Sequence, residues 1–194
     1  MKLKAKRLFP VILALWPYLY YASFHVAPDN ATGATIFLGA GIFFSLVVYI
    51  SNMIYASICK EEDSYYYLAF WNMMIKLIHV PIYLLIVLLE IGSAFLALVT
   101  IHIPIFLFMA PILIIYLFFA ALLLMIVSST YGVNALIRAG MKRVVSKKYV
   151  IVNIILHFFF VADVISAIVL YKKVRKEKRE RESEVSLSLQ NSDG

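Results

Sequence analysis

Between Ile91 and Ile137 the chain carries no Asp, Glu, Lys or Arg. A helix facing water needs a polar side, and nothing in that stretch supplies one. Charge is scarce throughout, at 15% of 194 residues against 63% hydrophobic, with a mean hydropathy of +0.90. Lipid rather than water is the expected solvent for most of the chain. Cysteine is limited to Cys59, which excludes an intramolecular disulfide and a CxxC redox or zinc site. Cys59 near a membrane boundary reads as a small hydrophobe, with S-palmitoylation as the alternative. HExxH, GxSxG, P-loop and GxGxxG patterns are absent, so no enzyme, cofactor or metal site is expected. His25 and Asp29 share a loop, but two candidate ligands do not make a metal site. Alternation of apolar and polar residues is also missing, which excludes a membrane barrel and leaves helices.

What is present is a series of apolar blocks separated by charge. MKLKAKR opens the chain with four basic groups, followed by an apolar segment from Leu8 to about Val26. Pro10, Trp16, Pro17 and several tyrosines there, with no small-x-small cleavage site, favour a retained first helix over a signal peptide. Residues 27–35, APDNATGAT, read as a loop, and Asn30-Ala31-Thr32 matches an N-glycosylation acceptor. A second span runs from about Ile36 to Ile58, with Gly41 and Ser45 as a small-xxx-small pair. Lys60-Glu61-Glu62-Asp63 closes it in water.

The stretch from Ser64 to Ile137 holds only Lys76 and Glu90 as formal charges. A span takes roughly 20 residues, so two long helices or three short ones fit. The two-helix version has Tyr65, Tyr66, Tyr67 and Trp71 as an interfacial belt and a Pro81 kink. It turns at Thr100–Pro104. The three-helix version turns at Glu90–Ser93 and at Ala110-Pro111, where polar residues are nearly lacking, so two helices are favoured. Residues 138–148 carry five basic groups, a last span runs from about Tyr149 to Leu170, and seven of the ten residues in KKVRKEKRER (172–181) are basic. The expected architecture is an all-α polytopic membrane bundle over residues 1–171, with five transmembrane helices and six as the alternative. Residues 172–194 read as a basic, then polar, disordered tail. The net charge of +7 lies at the ends of apolar blocks, where it sets orientation rather than binding nucleic acid. Five spans leave the basic tail outside and six leave the 138–148 loop outside, so each breaks the positive-inside rule once.

Ionisable groups inside apolar spans cost roughly 2.5–3.5 kcal/mol each at a helix centre and must find a partner or water. Asn72, Lys76 and His79 share one helix face. They form either a polar stripe facing a cavity or an interfacial face from which Lys76 snorkels. Asn153, His157 and Asp163 lie in the last span. Asp163 is six residues after His157, so one continuous helix cannot pair them. Asp163 therefore needs a partner from another helix, with Lys76 the first candidate and His79 the next. The outcome is either a proton- or ion-linked site or a structural pair. Glu90 is intramembrane with five spans and in a turn with six, and His102 marks a turn with Pro104.

WNMMIKLIHVPIY (71–83), SSTYGVNALIRAG (128–140) and ILHFFFVADVISAIVLYKKV (155–174) resemble a family of small multi-pass bacterial membrane proteins of unknown function, common in low-GC Gram-positive bacteria. The resemblance covers residues 68–175 and implies a bacterial cytoplasmic membrane location without an activity. Lys76, His79, Pro81 and Asp163 are among the positions that carry it. The expected role is a binding or accessory subunit of a membrane complex. A small transporter or channel with a polar intramembrane site is the alternative, and a membrane enzyme has least support. Expected partners are the lipid bilayer and other membrane proteins or further copies, and the basic tail would attract anionic lipids.

Overall fold

A computed structural model describes residues 2–23, 26, 30–59, 64–99, 104–157 and 160–190. His25, Asp29, the Lys60–Asp63 closure, Thr100–Ile103 with His102, and residues 191–194 of the tail lie outside the described residues. Six helices and no strand occur among the described residues. They are α1 (Lys2–Ser23), α2 (Ala31–Ile58), α3 (Ser64–Val99), α4 (Pro104–Met141), α5 (Lys147–Leu156) and α6 (Phe160–Gln190).

α2 begins five residues earlier than the loop chemistry of residues 27–35 suggests. Asn30 is its N-cap, the side-chain oxygen accepting from the Gly33 N–H at 2.6 Å, so a breaker residue serves as a helix start. The charge-poor stretch forms two long helices. Glu90–Ser93 lies inside α3 and Ala110-Pro111 inside α4, so the turns of the three-helix version are absent. Three helical segments are long and apolar enough to cross a membrane, Thr32–Ile58, Ser64–Val99 and Met109–Met141. The expected count of five is not reached by that measure, because α1 opens with four basic residues and the expected last span is not one helix.

That last span is the main correction. α5 ends at Leu156 with His157 as its C-cap, and α6 starts at Phe160. The Ser166 hydroxyl donates to Asn153 Oδ1 at 2.7 Å, and the Lys173 ammonium sits 4.2 Å from the Tyr149 ring centroid. In one straight helix Asn153 and Ser166 would be about 20 Å apart, at 1.5 Å per residue. The two elements instead fold back on each other as a helical hairpin. α6 then continues through the basic stretch to Gln190, past the start of the expected unstructured tail. Exposed i,i+4 pairs lace this extension: Lys176–Glu180, Glu177–Arg181 and Lys178–Glu182.

α3 and α4 form the central pair, with α1 and α6 packed on α3, and α2 on α4 and α1. Cross-helix contacts fix the directions. Phe9 stacks on Tyr55 at 4.9 Å and the Trp16 indole donates to Ser45 Oγ at 2.9 Å, so α1 runs against α2. The Ser45 and Gly41 face of α2 is thereby used inside the chain, against Trp16 and Tyr20. The Tyr131 hydroxyl donates to Asn52 Oδ1 at 2.7 Å. Arg138 donates to the carbonyls of Cys59, Ser57 and Ala56, closing the C-terminal end of α2 where helix carbonyls lack partners. Lys142 lies over the Tyr65 ring and Lys178 over the Tyr66 ring. One end of the bundle therefore collects the start of α1, the end of α2, the start of α3, the end of α4, the start of α5 and the basic part of α6.

Candidate functional site

The buried residues of α3 recur at helical spacing: Tyr65, Leu68, Ala69, Asn72, Ile75, Lys76, His79, Ile82 and Tyr83. Asn72, Lys76 and His79 are therefore part of the face that packs on the bundle, and each is at most 1% exposed. Such a lysine cannot snorkel to a surface, so the interfacial alternative falls away. Polar side chains brought from α4 and from the hairpin must compensate it.

The Lys76 ammonium pairs with Asp163 Oδ1 and donates to Ser129 Oγ at 3.2 Å. His157 Nδ1 meets the same Asp163 oxygen and lies 3.2 Å from the Lys76 ammonium. Ser129 donates in turn to Asp163 Oδ2 at 3.4 Å. Four side chains from α3, α4, the end of α5 and the first turn of α6 thus close one network. With His157 neutral the network has one positive and one negative charge. His157 Nδ1 faces a pure donor and a pure acceptor. With a hydrogen it donates to Asp163, and without one it accepts from Lys76. Asp163 also sits at a helix N-terminus, where the dipole favours a carboxylate.

The contact between His157 and Asp163 overturns the expectation that one helix keeps them apart. That geometry required a continuous helix, and the turn between α5 and α6 removes it. His79 does not reach Asp163. Its Nε2 lies 3.2 Å from the Leu13 carbonyl of α1. Pro17 has no N–H to give that carbonyl, so Leu13 lacks its i+4 donor and the histidine replaces it. Asn153 stands apart from the charges. Its amide nitrogen donates to the Tyr149 carbonyl at 2.8 Å and its oxygen accepts from Ser166, which locks the hairpin. Glu90 lies fourteen residues past Lys76 on α3, about 21 Å along the helix, and is half-buried without a partner among the described residues. It is not part of the network.

Three buried polar atoms near the network have no hydrogen-bond partner among the described residues: His157 Nε2 and both amide atoms of Asn72. Two of them, His157 Nε2 and Asn72 Nδ2, converge on Gly132 of α4. A Cβ there would meet His157 Nε2 at 2.6 Å and Asn72 Nδ2 at 2.7 Å. A glycine lets the two polar groups approach the α4 backbone. Nothing in the sequence sets Gly132 or Ser166 apart, and the one signal for Ser129 is the Ser128-Ser129-Thr130 run inside an apolar helix. Among the described residues no three of His, Cys, Asp and Glu gather in a way that could hold a metal ion.

A family profile described as a family of unknown function (DUF6652) matches residues 5–176. No curated protein and no solved structure matches the chain.

Proposed function

The chain belongs to this family of unknown function, and we propose that it is a multi-pass membrane protein with four crossings and a re-entrant hairpin, serving as a binding or accessory subunit of a membrane complex. Several features support the membrane reading. α2 alone leaves Ile36, Phe43, Phe44, Ile50, Ile54 and Ile58 exposed, a surface suited to lipid tails. α1 runs from Lys2 to Ser23, and its apolar part from Leu8 to Ser23 makes about 24 Å of helix, most of a ~30 Å hydrocarbon core, beside α2, α3 and α4. α5 has ten residues, about 15 Å, which is half of a ~30 Å hydrocarbon core. Lys76 lies twelve residues into α3, about 18 Å, so the network sits at mid-depth.

The observation that carries the reading is the single basic end. The opening lysines, the 138–148 loop and the stretch after Leu170 all lie there. With that end in the cytoplasm, every basic cluster obeys the positive-inside rule, which neither five nor six crossings achieves. The cytoplasmic membrane of a bacterium is the proposed location. A reporter active only in the cytoplasm, fused at the N-terminus, after Lys148 and after Gly194, tests it. All three fusions are expected to be active. A silent fusion at Gly194 restores five crossings, and a silent one at Lys148 restores six.

The accessory role rests on the neutrality of the network, in which the buried charges satisfy each other within the chain. A specific observation favours a second reading, a small transporter. A helix break at mid-depth with polar atoms left over is the kind of place where transporters hold their ions. The two readings part on whether the purified chain alone moves an ion.

A further inference from the structure

We propose that the two open ends of the hairpin, with Arg143 beside them, form a binding surface for the phosphate headgroups of anionic phospholipids in the cytoplasmic leaflet. The inference rests on the four-crossing reading, which puts that end of the bundle in the cytoplasm.

The sequence assigns attraction for anionic lipid to the basic tail. The structure divides the basic residues into two groups. Along the α6 extension Lys176 pairs with Glu180, Lys178 with Glu182 and Arg181 with Glu177. From Lys176 to Glu184 that extension holds four basic and four acidic residues, so it is neutral. Arg143, Lys147, Lys148, Lys172, Lys173 and Arg175 are different. All six are exposed, and none has a carboxylate partner among the described residues. Glu61, Glu62 and Asp63 lie outside the described residues, and counted in full they still leave the six cations in excess.

The fold brings these six to one level. Lys147 and Lys148 open α5, and Lys172 and Lys173 follow the buried Leu170 of α6. The Lys173 ammonium, 4.2 Å from the Tyr149 ring centroid, ties the two ends together. Arg143 lies in the turn between α4 and α5. Lys172 to Arg175 rises only about 5 Å, so the group fits the polar layer of one leaflet, about 5–8 Å thick. Tyr149 is a ring of the kind that sits at headgroup level. Like charges so close repel one another. The first turn of α5, with two lysines and no acid, also runs against the preference of a helix N-terminus for negative charge. Anions from outside relieve both. At this depth the anion at hand is the lipid phosphate, and each Lys or Arg near the surface strengthens its attraction about fivefold. A nucleic acid or an acidic protein approaching from water would meet the α6 extension first, and its charges are already balanced.

The test places the purified full chain in phosphatidylcholine vesicles and reads, by electron spin resonance, the fraction of a spin-labelled lipid immobilised on the protein. Labelled phosphatidylglycerol is expected to associate about fivefold more strongly than labelled phosphatidylcholine at low salt. The preference should collapse in about 1 M NaCl, where the Debye length is about 3 Å. Arg143→Gln, Lys147→Gln, Lys148→Gln and Lys172→Gln together should remove most of it. Lys176→Gln with Glu180→Gln, which removes a balanced pair, should leave it intact. Equal association of the two lipids with the parent protein overturns the proposal, as does a quadruple variant that keeps the preference. If the quadruple variant does not fold, the parent's lipid preference and its salt dependence decide alone. A parent without lipid preference that captures a short single-stranded oligonucleotide overturns the headgroup surface in favour of a soluble polyanion. Active cytoplasmic reporters at Lys148 and Gly194 with no lipid preference overturn the surface and leave the topology standing. A silent reporter at either one puts the two clusters on opposite sides of the membrane and overturns both.

Discussion

Pro17 and His79 show how one missing N–H shapes a contact between distant helices. The Leu13 carbonyl is fully buried and lacks its helical donor, and leaving such a group unpaired costs about 1–3 kcal/mol. His79→Leu is therefore expected to destabilise the protein by about that amount in detergent-solubilised unfolding. Pro17→Ala supplies the N–H within α1. In that background His79→Leu should cost measurably less, and strict additivity would show that the histidine acts otherwise. At this scale the sequence was partly legible. Opposite charges in an apolar chain have to meet, so Asp163 and Lys76 could be matched on their charges alone. His79 could not be assigned, because its partner is a backbone oxygen exposed by a proline elsewhere. Ser129 was hidden for a different reason. A serine in an apolar helix ordinarily satisfies itself on its own backbone, as Ser45 does on the Gly41 carbonyl at 2.8 Å.

The hairpin is the element that sequence reading missed. Tyr149 to Leu170 contains neither glycine nor proline, so breaker logic sees one span. The break is held by tertiary contacts instead: Ser166 on Asn153, Lys173 on Tyr149, and Asp163 on both His157 and Lys76. One signal was present. Basic clusters flank the segment on both sides, and a segment that enters and leaves at the same face satisfies both. Cysteines at 153 and 166 give a direct check. Cys59 can first be changed to Ser, since Arg138 contacts only its backbone carbonyl. Asn153→Cys with Ser166→Cys is then expected to form a disulfide under mild oxidant, read as a reductant-sensitive gel shift. A continuous helix would hold the two about 20 Å apart, far beyond the ~7 Å Cα reach of a disulfide, and would give no shift.

Over the whole molecule, the helical class and the two long central helices followed from composition, because a charge-free stretch of that length has few other solutions in lipid. The crossing number did not follow, since it depends on how the last helix pair turns. That turn is tied to the rest of the bundle through Lys76 and Asp163, together with the Tyr66 and Tyr171 hydroxyls at 3.3 Å. A buried pair of this kind contributes little net stability once desolvation is counted, but removing one partner strands the other, at about 3–5 kcal/mol. Lys76→Met and Asp163→Leu are each expected to lower the melting temperature strongly in detergent and to reduce the amount of folded protein in the membrane. The double variant replaces the pair by apolar contact and should recover most of the loss in both measurements. If the double variant is as unstable as the two single effects combined, the pair is not what holds the hairpin. Asn153 and Ser166 would then have to carry the hairpin alone. If stability recovers, the fold does not need the two charges as such, and apolar packing at these positions is enough to hold the hairpin on the bundle.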